Sequence, residues 1–245
     1  MVEPASDYIL TVDHIHTFIG QFHILEDVSL RVRRGGITVL MGRNGAGKTT
    51  TLKSILGLTP PRSGKIILDG REIQGKRAYD IAAMGIGYVP EYRAIFRNLS
   101  VVENLKIAER KRDDLDGKSE MIFELFPDLK RLYKLSGNQL SGGQQQMLAI
   151  ARALVADNKL LLIDEPSEGL APVLIEQIMA AIHNLSSTST VLLVDQNFLM
   201  ASQLGEYCYI LDDGKTVHQG PMAELAQNQE LIHRYLGTAV IGAKR

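Results

Sequence analysis

The chain has 245 residues, of which 45% are hydrophobic and 22% charged, and its 27 basic and 28 acidic residues give a formal net charge of -1. This composition is typical of a globular protein, excludes disordered and fibrous classes, and gives no electrostatic reason to expect a nucleic-acid partner. No run approaches the ~20 apolar residues that span a bilayer. The first ten residues lack the pattern of a signal peptide, so we expect the protein in the cytosol.

Short apolar runs rich in branched residues predict the strands of the fold. In chain order they are 37–41, 66–68, 86–89, 160–163, 191–194 and 207–211. Because each run is continuously apolar and helix-length segments separate them, we expect an α/β fold with a mainly parallel sheet covered on both faces. Val28, Leu30 and Val32 alternate at period two, which predicts an N-terminal antiparallel strand at the edge of that sheet.

Between Glu91 and Val155 strand-like runs are absent, while apolar residues recur at helical spacing over 101–110 and 120–135. We therefore predict a single domain, 1–245, in which an α/β core of 1–90 and 156–245 carries a helical insertion, 91–155. The dense charges of 109–118 predict a solvated loop between helices.

Three residues are predicted to have no chemical role. His14 and His16 lie on a predicted edge strand without nearby sequence partners for a metal, so we expect solvent-facing histidines. Cys208 lies inside an apolar run, which predicts a small buried side chain and not a nucleophile.

Residues 42–49 match the pattern G-x-x-x-x-G-K-[ST] and stand between a predicted strand and the helical pattern that starts at Thr50. Such a loop turns backbone N–H groups toward a triphosphate, and the helix behind it directs its positive end at the same anion. Lys48 adds a positive charge near the β- and γ-phosphates, and Thr49 is a predicted Mg²⁺ ligand. The segment, here called the phosphate loop, consists of Gly42, Arg43, Asn44, Gly45, Ala46, Gly47, Lys48 and Thr49. Thr50, directly after it, is also a predicted nucleotide-binding residue.

Two carboxylates, Asp164 and Glu165, follow the apolar run 160–163. They are predicted at the carboxyl edge of a buried strand, where α/β sheets bind ligands. There Asp164 is placed to hold Mg²⁺ through water, and Glu165 to polarise the water that attacks the γ-phosphate.

A second glycine-rich helix start comprises Ser141, Gly142, Gly143 and Gln144, here called the signature turn. The following apolar residues recur at helical spacing. A capped loop would explain the serine alone, but two phosphate-type helix entrances in one chain suggest a composite site.

With GRNGAGKTT, LSGGQQQ and LLLIDEP in this order, the chain resembles the ATP-binding cassette ATPases over nearly its whole length. The resemblance implies a P-loop NTPase (RecA-like) core, ATP and Mg²⁺ as ligands, and a head-to-tail pair of such domains. Each ATP is then held by the phosphate loop of one domain and by Ser141 and Gly143 of the other.

Finer matches, namely VPEYR, VENL, ELFP, PSEGLAP, VDQN and YLG, are similar to the shorter ATPase of branched-chain amino-acid importers. This implies an ATPase at the cytoplasmic face of the membrane, bound to transmembrane permease subunits and to a second ATPase subunit, identical or a longer sister. An extracytoplasmic solute-binding protein is implied indirectly, and no nucleic acid.

Three positions depart from the general family pattern. Glu91 replaces a glutamine that reaches Mg²⁺ and the attacking water, and Gln196 replaces a histidine that contacts the γ-phosphate. Both changes predict slower hydrolysis, since an ionised carboxylate cannot donate and an amide carries no positive charge. Both also resemble the branched-chain importer ATPases, which implies a trait of that branch and not a dead site. Ile19 replaces an aromatic residue that stacks on adenine, which predicts the loss of about 0.5 to 1.5 kcal/mol of stacking.

Other functions remain compatible with these residues. A soluble cassette ATPase of DNA repair or translation usually has two cassettes, a coiled-coil insertion or a basic surface, and this sequence has none of these. A nucleotide-gated assembly switch would scarcely hydrolyse ATP. Among transporters, importers of urea or short-chain amides carry closely similar ATPases.

Overall fold

A computed structural model describes residues 7–237. In this part of the chain ten strands form one sheet. The strands are β1 Tyr8–Ile19, β2 Phe22–Arg33, β3 Ile37–Met41, β4 Ser63–Leu68, β5 Arg71–Glu72, β6 Ile86–Val89, β7 Leu160–Asp164, β8 Thr190–Val194, β9 Tyr207–Asp212 and β10 Lys215–Pro221. The helices are α1 Lys48–Ile55, α2 Ala78–Ala83, α3 Val101–Lys106, α4 Asp114–Leu125, α5 Pro127–Arg131, α6 Gly142–Val155, α7 Pro172–Ser186, α8 Phe198–Leu204, α9 Met222–Gln227 and α10 Gln229–Leu236.

The strand order across the sheet is β5-β4-β1-β2-β10-β9-β3-β8-β7-β6. The five strands from β9 to β6 are parallel to one another. Both faces of β3 are covered, since Val39 packs with the cluster of α6, α7 and α8, and Leu40 packs with the cluster that includes α1. This confirms the predicted α/β class and explains why these strands are continuously apolar.

β2 is not an edge strand as predicted, because it lies between β1 and β10 and pairs parallel with β10. The other end of the sheet, from β5 to β2, is antiparallel, as the alternation of Val28, Leu30 and Val32 in β2 predicts. It is larger than expected, because the run 66–68 belongs to β4, which pairs antiparallel with β1 and β5. Its assignment to the parallel sheet is wrong. Ile67 is half-buried between the buried Ile66 and Leu68, so β4 is fully covered on one face only, and three apolar residues are too few to reveal that alternation.

Between residues 91 and 155 the regular structure is helical, from α3 to α6. The predicted loop over 109–118 is wrong in its second half, because α4 begins at Asp114. The Asp114 carboxylate accepts hydrogen bonds from the N–H groups of Arg110 and Lys111, and Glu109 accepts one from Leu115. These acids therefore bind backbone donors ahead of and within the first turn, where negative charge also complements the helix dipole.

Of the three residues predicted to have no chemical role, His14 faces solvent and Cys208 is buried, as predicted, whereas His16 is half-buried and does not face solvent as predicted. His14 is exposed and pairs with Asp27, 2.6 Å away, and His16 is half-buried with its Nδ1 3.3 Å from Nε2 of His23. Cys208 is buried in β9, and this burial raises the pKa of its thiol to about 12. Within residues 7–237, no helix has both the length and the apolar character needed to cross a lipid bilayer.

Candidate nucleotide site

The phosphate loop connects the buried strand β3 to α1. Its backbone is left-handed at Gly42 and Gly47, with φ of 151° and 103°. A Cβ at Gly42 would lie 2.4 Å from the carbonyl oxygen of Leu211, and one at Gly47 would lie 2.6 Å from a methyl of Leu25. Only glycine fits at either position, so the close packing of the loop against β2 and β9 sets its course.

The start of α1 is open to an anion. Its N-cap is Gly47, which offers no side-chain cap, and the first turn contains no acidic residue. Thr49 and Thr50 are half-buried in that turn, and Thr51 donates its hydroxyl to the carbonyl of Gly47. Free N–H groups at the positive end of the helix dipole are what a phosphate needs.

The Lys48 ammonium is buried, with 4% of the residue exposed. It donates to the carbonyls of Gly42, at 2.9 Å, and Arg43, at 3.1 Å, and it lies 3.0 Å from Oε1 of Glu165. Glu165 is itself only 6% exposed. The structure thus joins two residues 117 positions apart, as the two motifs predict, and each charge compensates the other in a site poor in water.

Glu165 has φ of 43°, a left-handed conformation that is rare for residues other than glycine. Its N–H bonds to the carbonyl of Val194 at 2.8 Å, which holds the turn after β7 against β8. Non-glycine residues in such conformations are concentrated at functional sites, where the surrounding structure enforces them.

Asp164 ends β7 and is completely buried. Tyr88 of β6 donates to its Oδ2 at 3.4 Å, while Oδ1 has no hydrogen-bond partner. Burial raises the pKa of Asp164, and a hydrogen bond from Thr49 opposes that rise. An unpartnered buried carboxylate oxygen beside a threonine hydroxyl fits a divalent cation with oxygen ligands.

Three carboxylates meet next to this point. Ligand oxygens of Glu91, Glu165 and Glu168 all lie within 4.8 Å of one another. Desolvation, followed by a hydrogen bond with Glu168, raises the pKa of Glu91. Glu168 was absent from the residues predicted for the site. The sequence feature that could have identified Glu168 is its position three residues after Glu165. A turn joins the two residues, with the Glu168 N–H bonded to the Glu165 carbonyl at 3.2 Å.

Gln196 lies half-buried in the turn between β8 and α8, directly after Asp195. Asp195, also absent from the predicted site, accepts from the hydroxyl of Ser167 at 2.9 Å and from the N–H of Asn197 at 2.7 Å. The bond from Ser167 ties the segment after β7 to the segment after β8. The sequence signal was an acid at the end of a buried strand, the same feature that identified Asp164.

Burial raises the pKa of Asp195 from 3.8 to about 6. Because the folded protein holds this proton more tightly than the unfolded chain, the stability that the proton confers is lost as the pH rises from about 4 to about 6. Asp195→Asn does not titrate, so its free energy of unfolding should rise relative to wild type by up to about 3 kcal/mol across that window. Urea denaturation at several pH values measures this difference, and a difference independent of pH would contradict the assignment.

The signature turn starts α6. Ser141 is exposed, and its hydroxyl accepts from the N–H of Gln144 while the Gln144 side chain accepts from the Ser141 N–H. A Cβ at Gly143 would lie 2.3 Å from Leu174, so α6 packs closely on α7 there. Across residues 7–237 no hydrogen bond or ion pair joins the signature turn to the phosphate loop.

These features define a class. A glycine-rich loop that presents a helix start and a buried lysine to two strand-end carboxylates is the site of a P-loop NTPase. The fold agrees, since the loop and the carboxylates lie at the ends of parallel strands β3 and β7.

The chain belongs to the ABC transporter family, whose pattern matches residues 25–168, and within such a transporter it is the subunit that binds and hydrolyses ATP. It is 41% identical over 232 residues to the high-affinity branched-chain amino acid transport ATP-binding protein BraG of Pseudomonas aeruginosa, across 94% of this chain and 100% of that protein. It is 37% identical to the lipopolysaccharide export system ATP-binding protein LptB of Escherichia coli K12, across 87% of this chain and 91% of that protein.

A similar solved structure is a dimeric post-hydrolysis state of an ATP-binding cassette bound to ADP and phosphate. It matches with a TM-score of 0.77 at 25% identity, across 87% of this chain and 98% of that chain.

Proposed function

We propose that this chain hydrolyses ATP at the cytoplasmic face of the cell membrane to power the import of branched-chain amino acids. The observation that carries the choice of solute is the 41% identity that extends over the whole of BraG. An ATPase subunit does not contact the solute, so the nucleotide site cannot supply this choice.

ATP binding begins with an exchange of partners at Lys48. The ammonium that bonds Gly42, Arg43 and Glu165 in this structure becomes a ligand of the β- and γ-phosphates. The N–H groups of the phosphate loop and of the first turn of α1 bind the remaining phosphate oxygens. Release from Lys48 frees the Glu165 carboxylate to accept a proton from water.

Thr49, Asp164 and Glu91 are the residues that would hold Mg²⁺. The unpartnered Oδ1 of Asp164 supports this assignment. The ion would neutralise charge on the β- and γ-phosphates. Glu165 orients the attacking water. Gln196 donates a hydrogen bond to the γ-phosphate.

The second half of each site comes from another ATPase subunit, identical or a sister chain. The signature turn supports this assembly, since Ser141 is exposed at a helix start and makes no bond to its own phosphate loop. In the closed pair, Ser141 and the N–H groups of Gly143 and Gln144 bind the γ-phosphate of the opposite nucleotide. Hydrolysis removes that contact and opens the pair.

The helical insertion, 91–155, passes this movement to transmembrane permease subunits. The segment 91–96 supports the proposal, because it starts at the carboxylate cluster with Glu91 and leads to exposed rings. Tyr92 is 72% exposed, and the half-exposed Phe96 lies under the guanidinium of Arg152 at 4.9 Å. Exposed aromatic residues are frequent anchors of protein interfaces.

Uptake by the reconstituted transporter tests the solute. Proteoliposomes that contain this chain, its permease subunits and the solute-binding protein should take up labelled leucine, isoleucine and valine in an ATP-dependent manner, and Glu165→Gln should abolish uptake. Absence of uptake, in an assembly that hydrolyses ATP, would contradict the proposed solute. Urea and acetamide in the same assay test the related importers.

Export of a lipopolysaccharide is a second candidate, favoured by the 37% identity to LptB. It predicts ATP turnover that responds to lipopolysaccharide and not to an amino-acid-loaded binding protein. The two responses, measured on the same proteoliposomes, separate the candidates.

A further inference from the structure

A guanidinium from the segment 91–96 lies against the start of α6. A Cβ at Gly142, in the signature turn, would lie 3.0 Å from Nη1 of Arg93, and a Cβ at Gly169 would lie 3.9 Å from Nη2. Arg93 is half-buried. Its guanidinium therefore contacts both the signature turn and the segment that follows β7.

The backbone around Arg93 is held in an unusual conformation. Arg93 and Ala94 have φ of 63° and 44°, left-handed values that are rare for residues other than glycine. The carbonyl of Ala94 accepts a hydrogen bond from the guanidinium of Arg152, which lies in α6. The helix that starts with the signature turn thus also fixes the backbone next to Arg93. Such conformations persist where the surrounding structure enforces them.

The positive charge of Arg93 has no close anionic partner. Its guanidinium forms no hydrogen bond or ion pair with any of residues 7–237, although Glu91 and Glu168 line a pocket with it. The first turn of α6 contains no acidic residue either. A cation beside the positive end of a helix dipole is unfavourable until an anion binds to both. The arrangement therefore fits an anion that comes from outside the chain.

We propose that Arg93 binds the γ-phosphate of the nucleotide held by the other ATPase subunit. The inference rests on the proposed function, in which Ser141 and the N–H groups of Gly143 and Gln144 reach that phosphate. Because the guanidinium lies against Gly142, an anion bound to the signature turn comes within its reach. A guanidinium can bind two phosphate oxygens at once, with full positive charge. Arg93 thereby distinguishes ATP from ADP, which lacks the γ-phosphate.

Equilibrium binding of nucleotides to the assembled transporter tests this assignment. The probes are ADP and adenylyl imidodiphosphate, a non-hydrolysable ATP analogue that keeps a γ-phosphate, each with Mg²⁺. Arg93→Ala should weaken binding of the analogue at least about tenfold at each site that this chain completes, as expected for loss of a charge-assisted contact. The affinity for ADP should not change.

The isolated full chain, at concentrations at which it is monomeric, provides the second measurement. Arg93→Ala should leave its affinity for the analogue and for ADP unchanged, because the nucleotide then contacts its own phosphate loop alone. A loss in the isolated chain would overturn the proposal, since it would place the effect of Arg93 within its own chain. Equal losses for the analogue and ADP in the transporter would overturn it as well.

Two further variants separate the charge of Arg93 from its packing. Arg93→Lys should retain more of the transporter's affinity for the analogue than Arg93→Gln, because lysine keeps the positive charge and the amide does not. Wild-type affinity in Arg93→Gln would overturn the proposal. Arg97→Ala is the matched control, since Arg97 is an exposed arginine that lines the same pocket, and it should leave both affinities unchanged.

Ser141→Ala distinguishes failure of this inference from failure of the proposed function. If Ser141→Ala weakens binding of the analogue to the transporter and Arg93→Ala does not, the role of Arg93 is wrong and the composite site stands. If neither variant weakens it, the composite site itself is wrong, and the role of Arg93 with it. Losses in both variants, confined to the analogue and to the assembled transporter, would support the proposal.

Discussion

Glu165→Gln should lower the rate of ATP hydrolysis at least about 100-fold, the usual contribution of a positioned general base, while ATP still binds. The amide keeps the shape of the side chain but cannot accept a proton from water. Glutamine also removes the anion that holds the Lys48 ammonium at 3.0 Å, so the affinity for ATP should be unchanged or higher. Phosphate release from the assembled transporter and ATP binding at equilibrium measure the two effects.

Glu168→Gln is the matched control, because Glu168 belongs to the same carboxylate cluster. If Glu165 acts as the base, the loss in Glu168→Gln should be far smaller. Equal losses in the two variants would mean that the negative charge of the cluster matters and that Glu165 has no distinct role. Full phosphate release by Glu165→Gln would contradict the assigned chemistry outright.

Lys48→Ala should have two separate effects, on ATP affinity and on the stability of the fold. ATP binding should weaken at least about tenfold, because the hydrogen bonds from a buried ammonium to the phosphates are charge-assisted. The free energy of unfolding should also fall, by about 3 to 5 kcal/mol for loss of one member of a buried ion pair. Glu165, of which only 6% is exposed, would then be a buried carboxylate without a compensating cation. Urea denaturation and ATP titration measure these effects separately.

The double variant Lys48→Ala/Glu165→Gln distinguishes the two roles of Lys48. It should regain most of the lost stability, because residue 165 no longer carries the charge that Lys48 compensated, but none of the lost affinity. Recovery of ATP binding in the double variant would show that Lys48 serves mainly to neutralise Glu165. A double variant as unstable as Lys48→Ala would show that the pair does not stabilise the fold through its charges.

The parts of the site that follow from sequence are those set by local spacing. The phosphate loop needs glycine where a Cβ would meet Leu211 or Leu25, and its lysine falls at the start of α1 through spacing alone. Asp164 and Glu165 follow a strand whose continuous apolarity reflects burial on both faces. Both features depend on residues that are neighbours along the chain. The motif and the apolar run beside it are therefore enough to predict them.

Other features of the structure depend on the pairing of strands and on the course of turns, and the sequence does not reveal these. Ile19 and Phe22 lie opposite one another at the end of the first hairpin, and the bulges along β1 and β2 make that register unreadable from alternation. Glu168 joins the carboxylates because the turn after Glu165 folds back. The pKa of Asp195 is raised by burial, and the hydrogen bond from Ser167, 28 residues away, opposes that rise. Both effects depend on segments distant in the chain, so neither can be read from the residues beside Asp195.

The central claim is that each ATP site is completed by the signature turn of a second ATPase subunit. The most direct measurement is a structure of the transporter that carries Glu165→Gln, with ATP and Mg²⁺ bound. The account predicts Ser141 Oγ within about 3 Å of a γ-phosphate held by the phosphate loop of the other subunit. Ser141 still bonded only to the Gln144 N–H, with that γ-phosphate contacted by its own chain alone, would contradict it.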